Sequence, residues 1–156
     1  MRDPKWLPIG TGKLALASLP GRKDLPRLPQ LGCQHVVTLV AEHEGALVIG
    51  AAVQAMGLVW TWVPLRNGRY PNPEASARLK AALPRLSERL DAGEALLIHC
   101  SAGIHRTGMT AYALLRWRGL TADEALAAIA RMRRFTRDGL QVPQLAWGED
   151  VLSGKI

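Results

Sequence analysis

Cysteine is scarce in this chain: only Cys33 and Cys100 occur among its 156 residues. Two thiols cannot build a disulfide framework, and no metal-ligand spacing occurs, so a disulfide-stapled scaffold and a zinc module are both excluded. No apolar run approaches the ~20 residues that a membrane-spanning helix needs. The opening residues, Met1-Arg2-Asp3-Pro4-Lys5-Trp6, lack the apolar stretch of a signal peptide. Repeats, linkers and low-complexity segments are also missing. These absences point to a reducing, cytoplasmic location and to one domain over residues 1–156. A hydrophobic share of 48% against 21% charged residues fits a globular chain with a sizeable core rather than a disordered one.

Acidic residues are outnumbered, 13 Asp and Glu against 20 Lys and Arg, which leaves a net charge of +7. A basic surface attracts anionic partners such as phosphoproteins, phosphoinositides or nucleic acid. The plainer account is Arg on solvated faces. Only Arg131, Arg133 and Arg134 cluster, at the end of an expected helix where positive charge is favoured anyway. No nucleic-acid-binding motif occurs, so nucleic acid is not the expected partner.

Apolar patterning gives alternating strands and helices. Leu14 to Ala17 reads as a short strand before the turn Pro20-Gly21. Asp24 to Leu31 reads as a short helix interrupted by Pro26 and Pro29. His35 to Val40, rich in β-branched residues, and Leu58 to Val63 read as strands. Glu44 to Met56 reads as a helix between them, closed by Gly57. Pro64 to Pro73 is a loop. Glu74 to Asp91 is an amphipathic helix with Leu79, Leu83, Leu86 and Leu90 on one face, and Pro84 is expected to kink it. Ala95 to His99 is a strand and Thr107 to Trp117 a helix. Thr121-Ala122-Asp123-Glu124 is a capping box opening a helix to Arg134, and a last helix is expected over Val142 to Val151. Such alternation predicts an α/β fold: one mostly parallel sheet flanked by helices on both faces. Anions bind such sheets where a strand ends and a helix begins.

That place is occupied by Leu96-Leu97-Ile98-His99-Cys100-Ser101-Ala102-Gly103-Ile104-His105-Arg106-Thr107-Gly108. A thiol opens a short loop and a guanidinium closes it. Thiolate is the reactive form of Cys, and helix N-termini and cations favour it. Loop amides and the helix N-terminus bind phosphate oxygens, and Arg106 can grip two of them in a fork that Lys cannot reproduce. The alternative is a buried Cys acting as a small hydrophobe.

With His before the Cys, Gly103 mid-loop and Thr-Gly after the Arg, the stretch resembles the His-Cys-x5-Arg-Thr-Gly signature of the protein tyrosine phosphatase superfamily. The late position of the Cys and the short chain are similar to the dual-specificity branch. Gly21 to Leu25, Gly32 to Thr38 and Pro64 to Pro71 resemble upstream blocks of cyclin-dependent-kinase-inhibitor-3-like phosphatases, so the likeness extends over about residues 14 to 135. It implies a cysteine-phosphatase fold with the phosphate-binding loop between strand and helix, and no metal or organic cofactor. It also implies a two-step reaction through a phosphocysteine. Cys100 is then the nucleophile and Arg106 the phosphoryl grip. Ser101, Ala102, Gly103, Ile104, His105 and Arg106 cradle the phosphoryl oxygens through their amides. Thr107 assists the departing thiolate, and His99 acts on the thiol through the loop's hydrogen bonds. Gln141 or Gln144 positions water for the second step.

The chain departs from this pattern at one catalytic position. The general acid of the family is an Asp in Pro-x-x-Asp followed four residues later by Pro. Here Pro64-Leu65-Arg66-Asn67-Gly68-Arg69-Tyr70-Pro71 places Asn67 in the acid slot. Asn donates a hydrogen bond but no proton, and a positioned acid is worth about 10²–10⁴-fold. Either another acid serves, with Glu42, His43 and Glu44 as candidates at the same sheet edge, or the substrate has a good leaving group, or the chain binds phosphate more than it hydrolyses it. His105 inside the loop, with Arg66 and Arg69 at the rim, resembles members acting on inositol phosphates. The expected partner is thus a phosphorylated protein or a small anionic phosphoester. A phosphate-binding pseudophosphatase is the rival reading, and sulfur transfer by a loop Cys is a third. Cys33 is expected to be buried and inert.

Overall fold

The computed structural model describes every residue except 67 and 68. Among the described residues, five strands form one sheet in the order β1-β2-β5-β3-β4, with β1 at Leu7–Ile9, β2 at Gly12–Ala17, β3 at His35–Thr38, β4 at Val59–Trp62 and β5 at Ala95–His99. The β1–β2 hairpin is antiparallel. β2, β5, β3 and β4 run parallel, with Ala17 and Thr38 both in register with His99. The carboxyl ends of three strands therefore meet at one edge, and β5 at their centre is buried at every residue. That edge is where a parallel sheet presents its ligand site.

The α-helices among the described residues are α1 (Ala46–Ala55), α2 (Pro73–Asp91), α3 (His105–Trp117), α4 (Ala122–Met132), α5 (Arg134–Gly139) and α6 (Val142–Leu152). α3 follows β5 directly and packs against α2, α4, α5 and α6. Its residues from Arg106 to Leu115 are all buried. α2 buries Leu79, Leu83, Leu86 and Leu90, the four leucines of its apolar face, and its helical span runs through Pro84. Asn72 caps it, accepting from the Ala75 N–H at 2.9 Å, which satisfies one orphan donor of the first turn.

Elsewhere the chain departs from its periodicity. The segment at Asp24 to Leu31 is a 3-10 turn over Leu25–Arg27, because Pro26 and Pro29 withhold the amides that a longer helix needs. A second 3-10 turn at Glu42–Glu44 precedes α1. The helix expected to reach Arg134 is two helices: Arg133 is extended at φ −161°, ψ 105°, and α5 starts afresh behind it. Thr121 and Glu124 make both bonds of their capping box. Among the described residues, no helix is long and apolar enough to cross a membrane.

Candidate active site

The site is built where β5 ends. His99 is the last strand residue, Cys100 opens the loop, and α3 begins at His105. Cys100 is 2% exposed, at the floor of the loop. The first four N–H groups of a helix have no intrahelical acceptor. Here that end of α3 follows directly on the loop that Cys100 opens.

The loop's shape is held from two sides. Gly103 has φ +72°, and a Cβ there would lie 2.5 Å from the Ala17 carbonyl oxygen at the end of β2. Only glycine allows both the left-handed conformation and that approach. On the other side, the Gly103 carbonyl accepts from Arg133 Nη1 at 2.8 Å and from Thr136 Oγ1 at 2.5 Å. The extended Arg133 that splits α4 from α5 thus has a use: it aims a guanidinium at the back of the loop. Ser101 is held too, its carbonyl accepting from the Leu19 N–H at 2.8 Å.

Arg106 is 2% exposed, an unusual burial for a guanidinium. Glu44 takes it in a bidentate pair, Nη1 to Oε2 at 2.8 Å and Nη2 to Oε1 at 3.0 Å. Nη1 also donates to the Leu65 carbonyl at 3.2 Å. Nε has no partner among the described residues, and neither does the buried Thr107 hydroxyl. The Arg106 hydrogen bonds, followed by the Ala41 N–H and by Coulombic attraction, hold the Glu44 carboxyl below its ordinary range against the opposing effect of burial. An ionised, doubly engaged Glu44 does not supply a proton. Of the three residues considered as substitute acids it is the orienter of Arg106, while Glu42 and His43 are exposed.

His99 is fully buried. Its Nδ1 lies 3.1 Å from the Cys100 carbonyl oxygen and its Nε2 2.8 Å from Thr38 Oγ1. Burial pushes it down to about 4, so the ring is neutral at physiological pH. Cys33, also buried, has its thiol pushed up to about 11 by burial, and its Sγ donates to the His35 carbonyl at 3.6 Å. It lies before β3, at the opposite end of that strand from the loop.

Asn67 lies outside the described residues. Of the described residues on either side, Leu65 accepts from Arg106 through its carbonyl, and Tyr70 Oη donates to Asp150 Oδ2 on α6 at 2.6 Å. Arg66 and Arg69 are exposed and line a cavity of about 220 Å³ with Tyr70 and Asn72. His105, the first residue of α3, is partly exposed. Gln144 is buried and caps α6, its Oε1 accepting from the Gln141 N–H at 2.7 Å, whereas Gln141 is exposed. Arg131, Arg133 and Arg134 converge with Arg2 and Lys5 on a cavity of about 680 Å³ beside the loop. Sequence reading assigned the Arg trio to a helix end; Arg2 and Lys5 come from the other end of the chain, and no local pattern could have joined them. Glu44, Arg133 and Thr136 were missed as loop supports for the same reason. Among the described residues, no group of three or more His, Cys, Asp or Glu side chains forms a metal site.

The model of the tyrosine phosphatase family matches residues 67–128. Among solved structures, a kinase associated phosphatase with its catalytic cysteine substituted by serine superposes with a TM-score of 0.82 at 19% identity, over 97% of this chain and 94% of that one. Tk-PTP in its active form gives 0.77 at 23% identity, over 99% of each chain. PTPMT1 in complex with PI(5)P gives 0.70 at 18% identity, over 97% and 99%. At such identities the structural likeness is one of fold.

Proposed function

We propose that the chain, which has the fold of the dual-specificity phosphatases, is a member of the protein tyrosine phosphatase superfamily and hydrolyses phosphate monoesters through a phosphocysteine on Cys100. The observation that carries this reading is the loop itself. A buried Cys100 opens it and a buried Arg106 closes it, with both Nη atoms of Arg106 engaged by Glu44 and its Nε without a partner among the described residues.

In the first step the Cys100 thiolate attacks phosphorus, the P–O bond to the leaving alcohol or phenol breaks, and the departing oxyanion takes its proton from water. The amides of residues 101 to 106 and the Arg106 fork stabilise the charge that gathers on the equatorial oxygens. In the second step water attacks the phosphocysteine, and sulfur leaves as thiolate with the Thr107 hydroxyl donating to it. One catalytic domain spanning residues 1–156 carries both steps, without metal or organic cofactor.

The substrate class follows from charge. His105 at the start of α3, the exposed Arg66 and Arg69, and the 680 Å³ cavity, where five cationic side chains outnumber Asp3 and Asp138, favour a phosphoester bearing further negative charge over a neutral phosphopeptide. A small phosphorylated molecule of the inositol type has that character, as does an acidic phosphoprotein segment. Asn67 in the acid position favours one rival, a phosphate-binding protein with weak turnover. An aryl phosphate discriminates them, because a phenolate leaves without help. The protein should turn over p-nitrophenyl phosphate and act at least 10²-fold more slowly on an alkyl phosphate, and Cys100→Ser should abolish both while keeping the fold. Substantial turnover by the serine variant would falsify the phosphocysteine route, and no turnover by the native protein would leave phosphate binding as the function.

A further inference from the structure

A hydrogen-bond chain crosses three strands and ends on the catalytic loop. Trp60 Nε1 donates to Thr38 Oγ1 at 2.8 Å. Thr38 Oγ1 lies 2.8 Å from His99 Nε2. His99 Nδ1 lies 3.1 Å from the Cys100 carbonyl oxygen. Thr38 and His99 are both fully buried, so every proton in the chain must be accounted for without solvent.

Proton counting fixes the direction. An indole N–H can only donate, and a threonine hydroxyl has one proton and two lone pairs. Thr38 therefore accepts from Trp60 and has one proton left to give. Burial keeps the His99 ring neutral, so it carries a single N–H. If that proton sat on Nε2, the Nδ1 lone pair would point at the Cys100 carbonyl oxygen at close range. With the proton on Nδ1, each group has one partner: Trp60 donates to Thr38, Thr38 to His99, and His99 to Cys100. The order of the side chains leaves no second satisfied arrangement.

Trp60 is fixed by its own packing. Its ring stacks on Trp62 with centroids 5.7 Å apart and 15° between planes. α1 lies against it at Gly50, where a Cβ would come within 2.5 Å of the Trp60 ring. Trp62 Nε1 donates to the Val40 carbonyl at 2.8 Å, which pins the chain just before Ala41 and the Glu44 that holds Arg106. The indole pair is thus built into the scaffold rather than free to rotate.

We infer that Trp60 and Thr38 are positioning residues of this site, holding His99 as the Nδ1–H tautomer so that it grips the carbonyl of Cys100 and fixes where the loop leaves β5. Neither touches substrate. The inference rests on the reading of Cys100 as nucleophile for its kinetic consequence, but not for its structural one. Released from Thr38, Nε2 loses its donor, the ring is no longer held in one orientation, its grip on the Cys100 carbonyl loosens, and the amides that follow lose their register on the reacting phosphorus. A small displacement of reacting groups costs up to about 10²-fold in rate.

The test has two arms. Long-range ¹H–¹⁵N spectra of ¹⁵N-histidine-labelled protein read the His99 tautomer whether or not the protein is active. The native protein and Thr38→Ser should show Nδ1–H with the Nε2 lone pair hydrogen-bonded, and Thr38→Val should move the Nε2 resonance to that of a lone pair without a donor. In the second arm, Thr38→Val should lower kcat for an aryl phosphate about 10-fold and move the acidic limb of the kcat/KM profile to higher pH, with Thr38→Ser restoring both and Trp60→Phe falling between. A native His99 found as the Nε2–H tautomer, or an Nε2 resonance unmoved in Thr38→Val, overturns the inference regardless of activity. So does a moved Nε2 resonance that leaves the pH profile of an active enzyme untouched. An inactive native protein with the expected tautomers overturns the phosphatase reading and leaves the chain of hydrogen bonds standing.

Discussion

Arg106 is the residue on which charge, geometry and burial converge. Its guanidinium is too deep to be solvated, and an unpaired buried cation costs several kcal/mol. Glu44 offsets that cost and also fixes orientation, since two parallel N–H···O bonds leave the guanidinium plane no freedom. The pair engages both Nη atoms and leaves Nε without a partner among the described residues. Arg106→Lys should therefore fail almost as badly as Arg106→Ala, losing about 10²–10³-fold in kcat/KM. Lys keeps the charge but cannot satisfy both Glu44 oxygens and a phosphoryl group. Glu44→Gln keeps one acceptor and should lose about 10-fold, mainly in kcat, with no change in the identity of the nucleophile. Steady-state kinetics with one aryl phosphate reads both variants. Near-native rates in Arg106→Lys would mean that Arg106 supplies bulk charge only. The sequence exposed Cys100 and Arg106 because their spacing is local. It could not expose Glu44 as the partner of Arg106, because they lie 62 positions apart and Glu44 reads first as a residue of a polar loop capping the next helix and only then as a substitute acid.

At the level of elements, the periodicity found what packing repeats and missed what packing breaks. β2, β3, β4 and β5 alternate or run apolar, and the leucine face of α2 sits on a 3.6-residue repeat, so both were legible. β1 was not, because three residues including Pro8 carry no pattern and pair only through the hairpin. The break at Arg133 was not legible either: Met132 and Arg134 fit a continuing helix, and what draws Arg133 out of it is the Gly103 carbonyl, 30 residues away. That contact makes α5 a support for the loop. Thr136 is fully buried and Gly103 has no room for a side chain, so the loop is clamped between β2 and α5. Gly103→Ala should be the severest conservative change in the loop. It forces a Cβ against the Ala17 carbonyl and strains φ by about 1–2 kcal/mol, so activity should fall below detection while the far-UV spectrum stays native. Thr136→Val removes one of two donors and should cost only a modest fraction of kcat. Retention of more than about a tenth of native activity in Gly103→Ala would show that the loop shifts to accept the methyl and that the clamp is not rigid.

For the molecule as a whole, two buried histidines tie stability to pH. His99 and His35 are both pushed down to about 4 by burial, from an ordinary value of 6.5. Between those values the unfolded chain takes up a proton on each ring and the folded protein does not. The stability contributed by keeping the rings neutral is therefore complete above about pH 6.5 and is lost progressively as pH falls towards 4, because the unfolded state binds more protons there. Glu44 acts lower down: its depressed value adds stability that is present above the ordinary carboxylate range and disappears as pH falls through its folded value. Two steps follow, histidines first and carboxylate second. The loss per ring is nil above about pH 6.5 and grows to about 3 kcal/mol by about pH 4, large beside the stability of a domain this size. Urea unfolding midpoints should hold constant from about pH 8 to 7 and then fall steeply between about pH 6.5 and 4.5. His35 lies off the loop, bonded to Thr61 at 2.7 Å, so His35→Gln separates stability from chemistry: it should flatten part of the fall while leaving the pH–rate profile unchanged. A midpoint that stays level to about pH 4.5 in the native protein would mean that the rings open to water before they titrate, and the proton placement on His99 would then have to be found in a wetter site than this core provides.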